Sequence, residues 1–305
     1  MSSYIKTRLP PLILLGVIIL AVTVAVVVLG QNRYFSDAKT LQDAFRGDQL
    51  IMSQIPGFDF STFWCSAYNV NPWDYADVYL LPKMPEISSE HRVTKIEILR
   101  SMAAMNSYDE RGAYLLKGSQ ISFKACRELN TTVLTEVMIV KGMSVWDRWS
   151  SNQYTCSDCA IVNEDIPLGA ICALSGKVDI LNYIVTNEDF YHIVISRKYE
   201  SDLEKAVYLS YDIILNRTSY DISSHISMCN HTSETCALEL SHDSPEQILI
   251  DFEENERLGG EVRFQHKCDP AIVVWFGIFG ILPFGLIIIL LVYLKCVWTR
   301  NGSNK

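Results

Sequence analysis

The chain has 305 residues, is 49% hydrophobic and carries a net charge of −9 at pH 7. That acidity disfavours polyanions, so nucleic acid is not an expected partner. Nine cysteines point to an oxidising compartment rather than the reduced cytosol.

Residues 1–10 form a short tail with Lys6 and Arg8 and no acid. Pro11–Leu29 follows, apolar and without a charge. Crossing a bilayer core takes roughly 20 apolar residues, so this stretch is long enough to span. Val28 and Gly30 would permit signal-peptide cleavage before Gln31, but the apolar run of 19 residues exceeds the usual h-region, which favours a retained anchor. A second charge-free stretch, Ala271–Leu294, precedes a tail over 295–305 that holds Lys295, Arg300 and Lys305. The two tails take five basic residues and no acidic ones. The sequence therefore predicts two transmembrane helices with both termini cytosolic, and an enclosed domain more acidic than the whole chain.

Residues 30–50 read as a juxtamembrane helical stalk: Ser36 caps, Ala38, Leu41 and Phe45 share a stripe, and Gly47 ends it. From Ile51 to Glu86 four prolines among aromatics suggest irregular extended chain pinned through Cys65. Period-two alternation then dominates. It runs through Ile121, Phe123 and Ala125, through Val133, Val137 and Ile139, and through Tyr191, Ile193 and Ile195. It continues in Val207, Leu209, Tyr211, Ile213 and Leu215 and in Ile248, Ile250 and Phe252, with a final strand near Glu261–Phe264. Short strands without a long amphipathic helix between them predict a mainly β domain over 51–270. Its expected form is an antiparallel sandwich or jelly roll, either one elaborated unit or two stacked ones.

Three sequons, at Asn130, Asn216 and Asn230, lie between the spans and suit a glycosylated secretory-pathway domain. Cys65, Cys126, Cys156, Cys159, Cys172, Cys229, Cys236 and Cys268 make an even set for disulfides. Sequence alone does not choose among their pairings, although Cys229 and Cys236 are close enough to close a local loop. Cys296, at the cytosolic edge of the second span, is a palmitoylation candidate against the plain alternative of an unmodified thiol. In the second span, Gly277, Gly280 and Gly285 around Pro283 allow close packing with another helix, and so an oligomer, and invite a kink.

No catalytic set stands out. Cys156-Ser157-Asp158-Cys159 has metal or redox spacing but no second ligand pair at a suitable distance, so a structural disulfide is expected. His192 alternates with apolar strand residues and reads as a surface or satisfied side chain. The acidic run Asp251, Glu253, Glu254 and Glu256 reads as a solvated turn rather than a calcium loop. No cofactor, metal or enzymatic activity is expected. The expected function is a non-enzymatic double-spanning membrane glycoprotein whose luminal or extracellular β domain recognises a partner or ligand, with an endomembrane adaptor as one form. A channel or transporter subunit is the alternative, although neither span holds an ionisable residue.

The segments Tyr114-Leu115-Leu116-Lys117-Gly118-Ser119-Gln120-Ile121 and Val137-Met138-Ile139-Val140-Lys141-Gly142, then Trp146, stand in an order with Tyr191–Leu215, Asn216-Arg217-Thr218, Cys229 and Cys236. Together they resemble the luminal domain of the plant RING-type ubiquitin ligases named for aberrant pollen development. That resemblance implies a two-span endomembrane protein with a β-rich luminal domain and a cytosolic RING after the second span. The eleven residues after Leu294 carry no Cys/His zinc framework, so ligase activity is not part of the expectation here.

Overall fold

A computed structural model describes residues 24, 39–45, 47–55, 60–71, 76–103, 108–128, 133–151, 156, 158–197, 207–230, 236–252 and 261–302. Except for Val24, the first apolar stretch Pro11–Leu29 lies outside the described residues.

The chain is mainly β; among the described residues sixteen strands form four antiparallel four-stranded sheets. In chain order the strands are β1 (Lys39–Phe45), β2 (Gln49–Ile51), β3 (Cys65–Asn71), β4 (Ala76–Leu81), β5 (Ile87–Ala103), β6 (Tyr108–Leu115), β7 (Gln120–Arg127) and β8 (Thr135–Lys141). The rest are β9 (Ala160–Asp165), β10 (Val178–Ile184), β11 (Asp189–Arg197), β12 (Val207–Tyr220), β13 (Ser227–Cys229), β14 (Cys236–Glu239), β15 (Gln247–Phe252) and β16 (Glu261–Pro270). Helix α1 is Met143–Ser151 and the one-turn α2 is Cys172–Ser175.

Two cores divide the strands. The sheets ordered β10-β7-β12-β5 and β6-β11-β8-β9 turn Phe123, Ile139, Ile193 and Ile213 into one shared core. Alternation of the kind expected of a half-buried strand is clear in β12: Val207, Leu209, Tyr211, Ile213 and Leu215 are buried while Tyr208, Ser210 and Ile214 are less so. Burying one such side chain fully is worth about 2 kcal/mol. The runs Val137–Val140 and Ile193–Ile195 are apolar at every position because their sheet is covered twice. Met138, Val140 and Val194 face outward under Trp149 of α1 and the Cys156–Cys159 disulfide.

The second core lies between β1-β16-β3-β14 and β13-β4-β15-β2, where Tyr68, Val78, Leu238, Ile250 and Phe252 meet. Its strands come from both ends of the chain, with everything from β5 to β12 intervening. The two connections run side by side: Ile87 pairs with Tyr220 and Leu80 with Ser227, and Asp221 N–H donates to Glu86 O at 2.9 Å.

Two expectations are corrected. The proposed helical stalk over 30–50 is strand where it is described: β1 pairs with β16, with Lys39 opposite His266, and Gln49–Ile51 is β2. The three-residue apolar stripe is weak helical support, and the open edge of β16 offers a ladder of backbone hydrogen bonds that the local pattern does not reveal. Residues 51–86, expected to be irregular, contain β3 and β4. Of the prolines there, Pro82 and Pro85 fall between β4 and β5, leaving both ladders intact.

After β16 the chain becomes α3 (Ile272–Phe276), a π-helical turn (Gly277–Ile281) and α4 (Leu282–Gly302). Among the described residues one segment, Ile272–Tyr293, is long and apolar enough to cross a membrane. The π turn stands directly before Pro283, whose ring nitrogen cannot donate to the preceding turn, so the helix absorbs the missing bond there.

Candidate functional site

The seam between the two cores joins an apolar cluster, in which Ile51, Leu81 and Leu249 meet Leu116 and Tyr220, to a set of buried polar groups. Asp48, fully buried, accepts from Arg217 Nη1 at 2.8 Å and from Tyr114 N–H at 2.9 Å. Beside it Asp251 accepts from Arg92 Nη1 and Nη2, both at 2.7 Å, and from Gln49 Nε2 at 2.9 Å. Gln49 Oε1 in turn receives the Tyr220 N–H at 2.7 Å. Apart from the Gln49–Asp251 bond, which lies within the split unit, each joins a residue of that unit (Asp48, Gln49 or Asp251) to strand β5, β6 or β12 of the intervening one. Asp251 is satisfied by the bidentate Arg92 guanidinium and the Gln49 side-chain amide, and Asp48 by Arg217 and the Tyr114 backbone amide, which is how a buried charge becomes tolerable. Gly47 adopts a left-handed φ of 80°, and a Cβ there would lie 3.1 Å from Arg217 Nη1. The chain therefore turns into the seam only because this position lacks a side chain.

An open cleft of ≈ 330 Å³ lies at the edge of this seam. Its floor is apolar: Leu50, Ile51 and Ile55 from the split unit face Phe190 from β11. Its rim carries Gln54, Tyr114, Glu188 and Asp189. Tyr114 packs edge-on to Phe190, with ring centroids 5.0 Å apart. Glu188 is exposed at the mouth, where Gln54 Nε2 donates to its Oε1 at 3.2 Å and the Tyr220 hydroxyl lies 3.4 Å from its Oε2. Asp189 is oriented by Phe190 N–H at 2.9 Å, with Lys141 Nζ more distant at 3.9 Å. Burial, and then the charges of Glu188 and Asp189, push the Tyr114 phenol well above its usual range. Burial and Glu188 do the same to Tyr220. Both phenols stay protonated at neutral pH, and that of Tyr220 donates toward Gln54 Oε1 and Glu188 Oε2. The cleft thus combines an apolar floor with a negatively charged rim.

The residues singled out from sequence fall elsewhere. The eight paired cysteines form Cys65–Cys268, Cys126–Cys172, Cys156–Cys159 and Cys229–Cys236. Cys156, Asp158 and Cys159 are close enough together to resemble a metal set, but the two sulfurs are bonded to each other and offer no thiolate. Cys126–Cys172 clasps the 166–176 loop together with Arg127, whose buried guanidinium donates to Val133 O, Thr135 Oγ1 and Ile166 O. Burial lowers the Arg127 pKa.

Asn230 is exposed beyond β13, whereas Asn216 is half-buried in the middle of β12, between β5 and β7. Asn130 lies outside the described residues. Cys296 is exposed on α4. His192 is buried, with Nδ1 2.8 Å from Glu110 Oε1 and its ring stacked on Trp146 at 4.4 Å. Asp251 belongs to the seam rather than to a solvated turn, and Glu253, Glu254 and Glu256 lie outside the described residues. The cleft residues Gln54, Glu188 and Asp189 were missed from sequence. They sit at strand ends and turns, where no periodicity marks them.

No curated protein sequence matches the chain. Among solved structures, the VP2 subviral particle of infectious bursal disease virus aligns over 78% of this chain and 80% of its own at 7% identity, with a TM-score of 0.31. Dimeric latent PorU of Porphyromonas gingivalis aligns over 65% of this chain and 21% of its own at 9% identity, with a TM-score of 0.18. Likenesses this low support no argument about fold or function. Residues 180–292 match the family model for the middle domain of the E3 ubiquitin-protein ligase APD1-4. That stretch takes in Tyr191–Leu215, Cys229, Cys236 and the apolar helix, and does not reach the Tyr114–Trp146 segments. Over β10–β16 and the following helix, the chain therefore resembles the middle domain of that ligase family, as its sequence order implied.

Proposed function

We propose that this chain is a non-enzymatic, double-spanning membrane glycoprotein of the secretory pathway whose β domain recognises a ligand in the cleft at the seam. The domain is read as two nested jelly rolls. Relabelling the strands of each core in sequence order gives the same arrangement twice: first, eighth, third and sixth strands in one sheet, and second, seventh, fourth and fifth in the other. The second roll is inserted between the fourth and fifth strands of the first. Pairing of Lys39 with His266, four residues before Pro270, sets the two exits of the domain side by side, as two adjacent spans require.

The observation that carries the recognition reading is the cleft itself, a concave apolar floor with a few convergent polar groups. Its carboxylate rim suits a ligand that has an apolar body and a cationic group. A photo-crosslinking residue placed at Gln54 in the full-length protein in its native membrane tests this. It should give a discrete adduct that Glu188→Arg abolishes while surface expression holds. The same residue at Lys124, on the open face of β7, should give none. Adducts of equal yield at both positions, or one indifferent to the charge at position 188, would overturn the reading.

A further inference from the structure

The β domain and the apolar helix meet through aromatic side chains rather than through a polar hinge. Trp64 closes the turn before β3, and its carbonyl accepts two bonds from the start of the helix: Ala271 N–H at 2.9 Å and Trp275 Nε1–H at 3.3 Å. The two indoles are 5.1 Å apart, and Trp275 continues to Phe279 at 5.0 Å. On its other side Trp64 meets Phe63 at 4.8 Å, and Phe63 meets His242 at 5.2 Å.

A second turn is bonded to the first. Asp243 N–H donates to Thr62 O at 3.2 Å, and Thr62 Oγ1 donates to Ser244 O at 2.9 Å. Cys65–Cys268 fixes the start of β3 to the end of β16 directly above, and Ser66 Oγ reaches Asp269 O and Pro270 O. The loop is thus held at a set height relative to the helix.

Depth decides what this loop touches. Trp275 is the fourth residue of the segment Ile272–Tyr293, so it lies about 5 Å along the helix at 1.5 Å per residue. That is the headgroup boundary, where tryptophan is enriched because it presents an apolar body and one N–H donor. Around it Ile272, Val273 and Phe276 are 73%, 86% and 65% exposed, as lipid-facing side chains are. Phe63 and Trp64 are only partly buried, although Trp64 packs against the core of the split unit.

We infer that the Phe63–Trp64 turn, braced by the His242–Asp243 turn, is a foot that seats in the bilayer interface beside the second span and fixes how the β domain stands on the membrane. The partner is a lipid surface, engaged through the boundary between headgroups and acyl chains. The inference rests on Ile272–Tyr293 crossing the bilayer.

Full-length protein in phosphatidylcholine nanodiscs, with and without acyl chains brominated near the headgroup end, tests it by tryptophan quenching. Wild type should be quenched. Trp64→Phe should lower the quenchable emission by roughly a third, since Trp64 would be one of three interfacial tryptophans with Trp275 and Trp298. Trp146→Phe should remove only unquenched emission. Phe63→Trp should add quenchable emission, which keeps the test alive if Trp64→Phe misfolds. Absence of any quenching in wild type would refute the span and the foot with it. Quenched wild type, with Trp64→Phe and Phe63→Trp both leaving the quenchable emission unchanged, would refute the foot alone.

Discussion

The inserted unit and the split unit use the same strand order, yet they hold together by different means. The inserted unit, β5 to β12, is one continuous stretch with strands up to 17 residues long, and its core forms from neighbours such as β11 and β8. The split unit must join β3 to β16 and β4 to β15 across the whole insertion. Three of its strands, β2, β13 and β14, have only three or four residues, and it is tied by Cys65–Cys268, with a separation of 203 residues. The covalent tie of the split unit thus closes over the whole insertion, whereas the bridges of the inserted unit, Cys126–Cys172 and Cys156–Cys159, close over only 46 and 3 residues.

The largest effect should come from removing that tie. In the chain-entropy model Cys65→Ser with Cys268→Ser costs about 5 kcal/mol, against about 4 for Cys126–Cys172, at 46 residues, and about 2 for Cys229–Cys236, at seven. Denaturant unfolding of the three double variants checks the order. Equal losses would show that loop length is not what the bridges act through.

The seam comes next. Asp48→Ala leaves the Arg217 guanidinium buried without its 2.8 Å partner and should cost about 4 kcal/mol. Adding Arg217→Met to that variant should recover part of the loss. The seam couples the units, so Asp48→Ala should also split a single thermal transition into two, visible by calorimetry.

Gly47→Ala should be milder, about 1–2 kcal/mol, the usual cost of a side chain at left-handed φ. Its 3.1 Å approach to Arg217 Nη1 adds to that. The loss should shrink in the Arg217→Met background.

The smallest effect is electrostatic. Lys177, 3.1 Å from Glu97, and then Lys95 hold the exposed Glu97 carboxyl below its ordinary value. A depressed carboxylate contributes stability above its unfolded pKa and loses it as pH falls through the folded pKa. Acid titration of stability should therefore show a shallow loss below the ordinary carboxylate range, and Lys177→Met should flatten it.

The inserted unit was the legible one. In β7 and β12 alternate positions face the core, and in β8 and β11 Val137, Ile139, Ile193 and Ile195 face it while Met138, Val140 and Val194 are buried beneath α1, so the two-residue period was already in the sequence. β3 and β4 were not legible because prolines and aromatics around them mask short strands whose partners lie far along the chain. β1 looked helical because Ala38, Leu41 and Phe45 happen to fit a helical stripe, and the deciding partner, β16, lies at the other end. The cysteines announced disulfides, but of the pairs only the local ones, Cys229–Cys236 and Cys156–Cys159, were suggested by proximity. The cleft was hidden for the same reason as the seam: Gln54, Tyr114, Glu188 and Asp189 converge only after both units have folded. Asp48 and Arg217, the pair that sets the seam, have no feature in sequence that distinguishes them from surface charges.

The recognition proposed for the cleft requires the two units to behave as one body, and native-state hydrogen exchange on the full-length protein in nanodiscs addresses that most directly. The Tyr114 and Tyr220 amides, bonded to Asp48 Oδ2 and Gln49 Oε1, should exchange as slowly as those of Phe123 and Ile213 in the inserted core, through the same global opening. Exchange of the two seam amides through a separate, lower-energy opening, while both cores stay protected, would contradict the account.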